Sequence, residues 1–231
     1  TDYSTLSAKN YNKCGHANGC AYNTKTDKVQ VCGPISYNQV NQYDPATLKL
    51  EKSYSKDNGY PGFSGIGYEE NKDYYLGING RNIFFASSSG TWPIQYSFGM
   101  HVFETTQDVE WHDGYVFQPV YDGGAPSKYQ QYSFWGKGNN LVYVYNAKFD
   151  SAGKPTKDFG RLVARLKIGK KGELESNSFR NGKAFFGFAT QSIDTTYAFK
   201  FYAVSYADLK AKFAPSNEEE KKLQFLEEKK E

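Results

Sequence analysis

With 231 residues, 39% of them hydrophobic, the chain is long enough to bury a full core as one domain. Its mean hydropathy of −0.73 and the lack of any apolar run near the ~18 residues a spanning helix needs exclude a transmembrane helix. The net charge of +3, or +5 without the acidic tail Ser216–Glu231, is too small and too dispersed for a nucleic-acid-binding surface. What remains is an aromatic-rich chain, with 20 Tyr and 17 Phe, residue types that suit half-buried pleated strands.

Strands are predicted in chain order. A short outer strand at Thr5–Lys9 comes first, then Asn18–Asn23, the polar turn Thr24-Lys-Thr-Asp27 and Lys28–Cys32. Asn38–Tyr43 follows, and Asp44-Pro-Ala-Thr47 reads as a turn because Pro presets φ and Asp can bond its own backbone. Leu48–Tyr54 alternates apolar with charged residues and closes the first group of four strands. The second group is Phe63–Glu69, Asp73–Ile78, Asn82–Ala86 and Trp92–Phe98, with Asn79-Gly-Arg81 as a hairpin turn. The third begins at Gln107 and continues at Tyr115. It carries an insertion, about Asp122 to Asn139, before Leu141–Asn146 and Leu162–Ile168. The fourth has Ser176–Phe179, Ala184–Phe188 and Ala198–Ser205. The tail 215–231 is read as a charged helix: Ser216 with Glu219 forms a capping box, and only Leu223, Phe225 and Leu226 are apolar.

The groups repeat. Tyr22, Tyr68, Trp111 and Phe179 stand at equivalent places, at steps of 46, 43 and 68 residues. A period near ~45 with several strands per unit predicts an all-β propeller of about four units, four- or five-bladed. The four aromatic anchors are expected between adjacent sheets. Tyr206-Ala-Asp-Leu-Lys210 echoes Asp44-Pro-Ala-Thr-Leu48-Lys49 and supports the repeat. The predicted domains are a propeller over 1–214 and the tail 215–231.

Gly15-His-Ala-Asn18-Gly, followed by Ala21-Tyr22-Asn and Lys25-Thr-Asp-Lys28, resembles the innermost hairpin of extracellular bacterial propeller domains. Tyr43-Asp-Pro-Ala-Thr-Leu-Lys49 is similar to the blade-ending turns of NHL- and YVTN-type propellers. The resemblance runs from about Gly15 to Tyr121 and more loosely beyond. It implies a fold and no particular reaction, since such propellers serve as binding platforms and, less often, as lyases or hydrolases.

The strand starts place His16, Asn18, Ser64, Gln107, Asp108 and Glu175 or Ser176 at a common mouth, where a ligand is expected to bind. The insertion supplies Tyr129, Tyr132, Phe134 and Trp135, flat faces suited to a sugar or a protein surface. The leading expectation is a binding propeller for a carbohydrate or protein, with Tyr129, Tyr132, Trp135, Asn18, Ser64 and Gln107 as contacts. A lyase or hydrolase using His16 and Asp108 is the alternative, and a structural repeat module of a larger surface protein is a third. Asp108, Glu110 and His112 alternate and would share a strand face, although His112-Asp-Gly114 also reads as a turn. No cofactor or metal is expected: the spacing of Cys14, Cys20 and Cys32 matches no common zinc pattern. Whether two of these cysteines face each other depends on hairpin register. The only methionine is Met100, so a processed or excised chain is expected, at a secreted or cell-surface location.

Overall fold

The structure is a computed structural model, and the residues it describes are 19–32, 39–55, 65–88, 92–101, 106, 108–120, 140–170, 172–191, 197–213 and 220–222. They give an all-β chain of the β-propeller class, with four antiparallel sheets as blades. The first sheet is β1 (Gly19–Asn23), β2 (Lys28–Cys32), β3 (Gln39–Tyr43) and β4 (Leu50–Ser55), paired in that order. The second is β5 (Ile66–Glu69), β6 (Tyr74–Asn79), β7 (Asn82–Ser87) and β8 (Ile94–Gly99). The third holds β9 (Glu110–His112), β10 (Tyr115–Val120), β11 (Asn140–Asn146) and β12 (Leu162–Ile168). The fourth holds β13 (Glu173–Arg180), β14 (Lys183–Gln191) and β15 (Tyr197–Ser205). Among the described residues there is one short helix, α1 (Tyr206–Lys210).

Local chemistry explains the hairpins. Asn23 Oδ1 accepts from the backbone N–H groups of Lys25 (2.9 Å) and Thr26 (3.0 Å), which folds the first turn before Asp27 takes φ 53°. Glu69 does the same for Asn71 and Lys72, and Asp73 takes φ 57°. The third and fourth blades use two-residue turns instead. Asp113-Gly114 (φ 50° and 78°) and Asn181-Gly182 (φ 51° and 70°) have the paired positive φ of tight hairpins. Asp44 Oδ1 accepts from the N–H groups of Ala46 and Thr47, and from the Thr47 hydroxyl, closing the β3–β4 turn.

The chain divides into two compact units. One comprises Thr1–His101 with Asp108–Trp111; the other comprises Val102–Gln107 with His112–Glu231. In the first unit, Cys32 and Val40 of one sheet pack with Ile66, Tyr75 and Ala86 of the next, beside Trp92. The Tyr75 and Trp92 rings stack at 4.5 Å. In the second unit Phe117, Val144 and Leu166 pack with Leu174, Phe186 and Phe188. Helix α1 is capped by Ser205 and buries Leu209 in that core. Its Tyr206 hydroxyl and Lys210 ammonium both reach the Asp113 carboxylate.

Two expectations need correction, and the open question of the cysteine register is decided. The aromatic anchors are not equally buried: Tyr68 is 6% exposed but Tyr22 is 50% exposed. Their local role is nonetheless the same, since each hydroxyl donates to an aspartate five residues on, Asp27 or Asp73. Cys20 and Cys32 are not opposite each other, because β1 pairs with β2 so that Gly19 meets Cys32 and Cys20 meets Val31; both thiols are free. The helix expected in the tail 215–231 does not form at Glu220–Lys222. These residues are strand β16, which pairs in parallel with Arg165, Leu166 and Lys167 of β12. An open strand edge offers backbone partners that a short charged helix with little to bury cannot match. The Thr5–Lys9 strand lies outside the described residues.

Candidate functional site

In the first unit, two inner strands and the segment Asp108–Glu110 come together through glycine. A Cβ placed on Gly19 would lie 2.8 Å from both Asp108 Oδ1 and the Ile66 nitrogen. One placed on Gly67 would lie 2.6 Å from the Val109 carbonyl oxygen. Absence of side chains is what lets these backbones approach, and it brings two carboxylates beside the cysteines of β1 and β2.

The environment of these groups suppresses charge. Burial, followed by the neighbouring Asp108 charge, pushes the Glu110 carboxyl well above the usual carboxylate range. Burial is also the main cause that raises the Cys32 thiol, with Asp108 second. Cys20 keeps an edge open to solvent, yet crowding around its sulfur and then the Asp108 and Glu110 charges push its thiol up to about 11. Both cysteines are therefore thiols at neutral pH, and the thiolate is the reactive form. Glu110, by contrast, is biased by burial and by Asp108 toward its protonated form, the form a general acid needs. Among the described residues, no three or more His, Cys, Asp or Glu side chains are grouped to hold a metal.

His112 belongs to the other compact unit. It ends β9 and stacks on Phe179, with centroids 4.5 Å apart and planes at 3°, while Tyr206 meets it edge-on at 4.6 Å. The His-Asp-Gly sequence predicted a turn, and the structure has it at Asp113-Gly114.

Most of the sequence-predicted contacts lie outside the described residues: His16, Asn18, Ser64, Gln107, Tyr129, Tyr132 and Trp135. The structure does define how the insertion is mounted. Strands β10 and β11 pair without a register shift from Tyr115↔Asn146 to Val120↔Leu141. Val120 and Leu141, on either side of this segment in the sequence, are therefore directly paired. The corresponding β6–β7 connection in the second blade is only Gly80-Arg81.

Sequence reasoning did not single out Asn177. This β13 residue is 4% exposed, and neither side-chain oxygen nor nitrogen has a hydrogen-bond partner. It follows a register shift between Leu174 and Ser176 that leaves Glu175 without an opposite residue. Burial, then the Glu173 charge, raises the Glu175 carboxyl to about 7. A one-residue bulge has no composition signal, so only the paired register shows it.

No protein-family model matches the chain, and no curated protein matches it. Among solved structures it is similar to the glutaminyl cyclase of Myxococcus xanthus, with TM-score 0.51 and 12% identity over 84% of this chain and 67% of that one. It is also similar to a chain of a nidogen–laminin complex, with TM-score 0.47 and 12% identity over 82% and 60%. A third likeness is BamB from Moraxella catarrhalis, with TM-score 0.39 and 13% identity over 75% and 40%. At these identities the likeness to the cyclase concerns the fold alone.

Proposed function

We propose that this chain is an extracellular recognition propeller that binds a carbohydrate or protein ligand through the loop between β10 and β11. One observation carries the reading: an aromatic-rich segment, residues 121–139, mounted on a hairpin whose register runs unbroken to Val120↔Leu141. Long loops on rigid stems are where binding residues concentrate. Tyr129, Tyr132 and Trp135 are the proposed contacts, with Asn18, Ser64 and Gln107 as supporting polar groups. Tyr and Trp bring large contact area with only two side-chain torsions to order. No helix among the described residues is long and apolar enough to cross a membrane.

The test compares the wild type with a Tyr129/Tyr132/Trp135 triple-alanine variant on a glycan array and in pull-downs. Each true anchor should cost about 2 kcal/mol, or ~30-fold in affinity. Circular dichroism should be unchanged, because the loop lies beyond the last strand pair of its hairpin. Equal binding by both proteins would remove the loop from the site, and unfolding of the variant would make these residues core.

A second reading, a lyase or hydrolase, is favoured by the buried Asp108–Glu110 pair, with His16 as the proposed base. Glu110→Gln should then lower turnover of a responsive substrate by about 10²–10⁴-fold without loss of fold. Unchanged turnover would take Glu110 out of the reaction.

A further inference from the structure

The two faces of the fourth sheet differ sharply. Opposed residues in an antiparallel sheet share a face. One face carries the rows Asn177–Phe186–Tyr202 and Phe179–Ala184–Val204, together with Leu174–Phe188, and it packs into the second unit's core. The other carries Ser176–Gly187–Phe201, Ser178–Phe185–Ala203 and Arg180–Lys183–Ser205. On this outward face Phe201 is 63% exposed.

Phe201 is braced rather than loose. A Cβ on Gly187 would lie 3.0 Å from the Phe201 ring and 2.5 Å from Ser176 Oγ, so the ring sits against the glycine backbone beside the serine. An ordered, exposed aromatic has little conformational freedom left to lose on binding. Charge on the same face is segregated along the strands. Glu173 stands at the start of β13, and Arg180 ends it with Lys183 directly across the turn.

We propose that this face is a self-association surface, on which a second copy of the chain docks its own fourth sheet about a two-fold axis. The charge pattern selects that occupant. With the two β13 strands antiparallel across the axis, the acidic end of each lies against the basic end of the other, and the two Phe201 rings fill the apolar middle. A parallel arrangement would set like charges opposite each other. A two-fold contact is self-complementary by construction, so one patch with a plus end and a minus end suffices. Two sheets packed face to face with strands nearly aligned is an ordinary protein interface geometry.

The experiment is sedimentation of the full chain across micromolar concentrations. The wild type should show a reversible monomer–dimer equilibrium. Phe201→Asp should raise the dimer Kd at least ~30-fold, the loss expected for a central aromatic anchor. Its melting behaviour at concentrations where both proteins are monomeric should match the wild type, because the ring is not core. Arg180→Glu should weaken association about tenfold, and Arg180→Glu combined with Glu173→Arg should restore it. That rescue arises only where the two ends meet across a two-fold axis. A chain that stays monomeric overturns the proposal, as does a monomer whose Phe201 is protected from hydroxyl-radical labelling, since another segment would then cover the face. A Phe201→Asp variant that still dimerises, or a failed charge rescue, overturns it equally.

Discussion

The two compact units solve the same hairpin problem with different chemistry. In the first unit the inner hairpins use four-residue turns, held by Asn23 or Glu69 and braced by a tyrosine hydroxyl on Asp27 or Asp73. In the second they use Asp113-Gly114 and Asn181-Gly182, where the backbone alone makes the turn. The first solution spends side chains and tolerates ordinary residues in the loop. The second spends glycine and leaves the neighbouring aromatics free to pack, as His112 and Phe179 do. A repeat can thus persist in architecture after its local signature has changed.

The comparison predicts unequal costs at matched positions, and the largest is at the tyrosines. Tyr68→Ala should destabilise the protein by about 3–5 kcal/mol, because it removes a buried ring that packs on Tyr75 at 5.3 Å. Tyr22→Ala should cost much less than Tyr68→Ala, since Tyr22 is already 50% exposed. Urea unfolding of both variants is the check. Equal losses would mean that Tyr22 is covered in solution and that the anchors are equivalent after all.

Close approach comes next. Gly67→Ala should cost about 1–3 kcal/mol, since its Cβ would meet a backbone carbonyl that cannot rotate away. Gly80→Ala has open space around it and should cost only the ~1–2 kcal/mol of a positive φ. If thermal melts rank these two the other way, the tight packing of β5 against Val109 is not what holds the acid pair in place.

The turns themselves give a smaller, sharper contrast. Asn23→Ala removes the acceptor for two N–H groups and the donor to the buried Tyr75 hydroxyl and should cost about 1–2 kcal/mol, while Asn23→Asp should recover little of it, because it buries a second carboxylate beside Asp73. At Asn181, φ 51°, the order of tolerance should be Gly, then Asp, then Ala, set by backbone conformation alone. A hydrogen-bonding requirement at Asn181, seen as Gly less stable than Ala, would erase the distinction between the units.

These contrasts also show which features could be read from residues. Lys28–Cys32 and Leu162–Ile168 were predicted with the bounds the structure gives them, because alternation and flanking turn residues are local. The tight turns at Asp113-Gly114 and Asn181-Gly182 announce themselves in the same way. What sequence did not carry was tertiary. The pairing of β16 with β12 joins Glu220 to Arg165, a choice made by an available edge rather than by a helix-capping motif. The acid pair was half visible: Asp108 and Glu110 alternate, but the glycines that seat them come from Gly19 and Gly67, far away in the chain. All six proposed ligand contacts lie outside the described residues, so that part of the site rests on composition and on the stem that carries it.

A pH dependence separates the units in another way. Glu175 has its carboxyl raised from 4.5 to about 7, first by burial and then by Glu173. The folded chain therefore holds this proton more tightly than the unfolded chain does. Below about pH 4.5 both states are protonated and the full stability is present. Between about 4.5 and 7 the unfolded state loses the proton first, so stability falls as pH rises; above about 7 both are ionised and the slope vanishes. Glu175→Gln should leave stability at low pH nearly unchanged and flatten that window. Glu110→Gln should flatten a decline of the same sign, because burial and then Asp108 raise the Glu110 carboxyl. Urea midpoints from about pH 4 to about pH 9 are the measurement, made in the Phe201→Asp background so that self-association does not place Arg180 near Glu173. Curves parallel to wild type for Glu175→Gln would mean that the bulge is open to water and that its carboxyl titrates as an ordinary one.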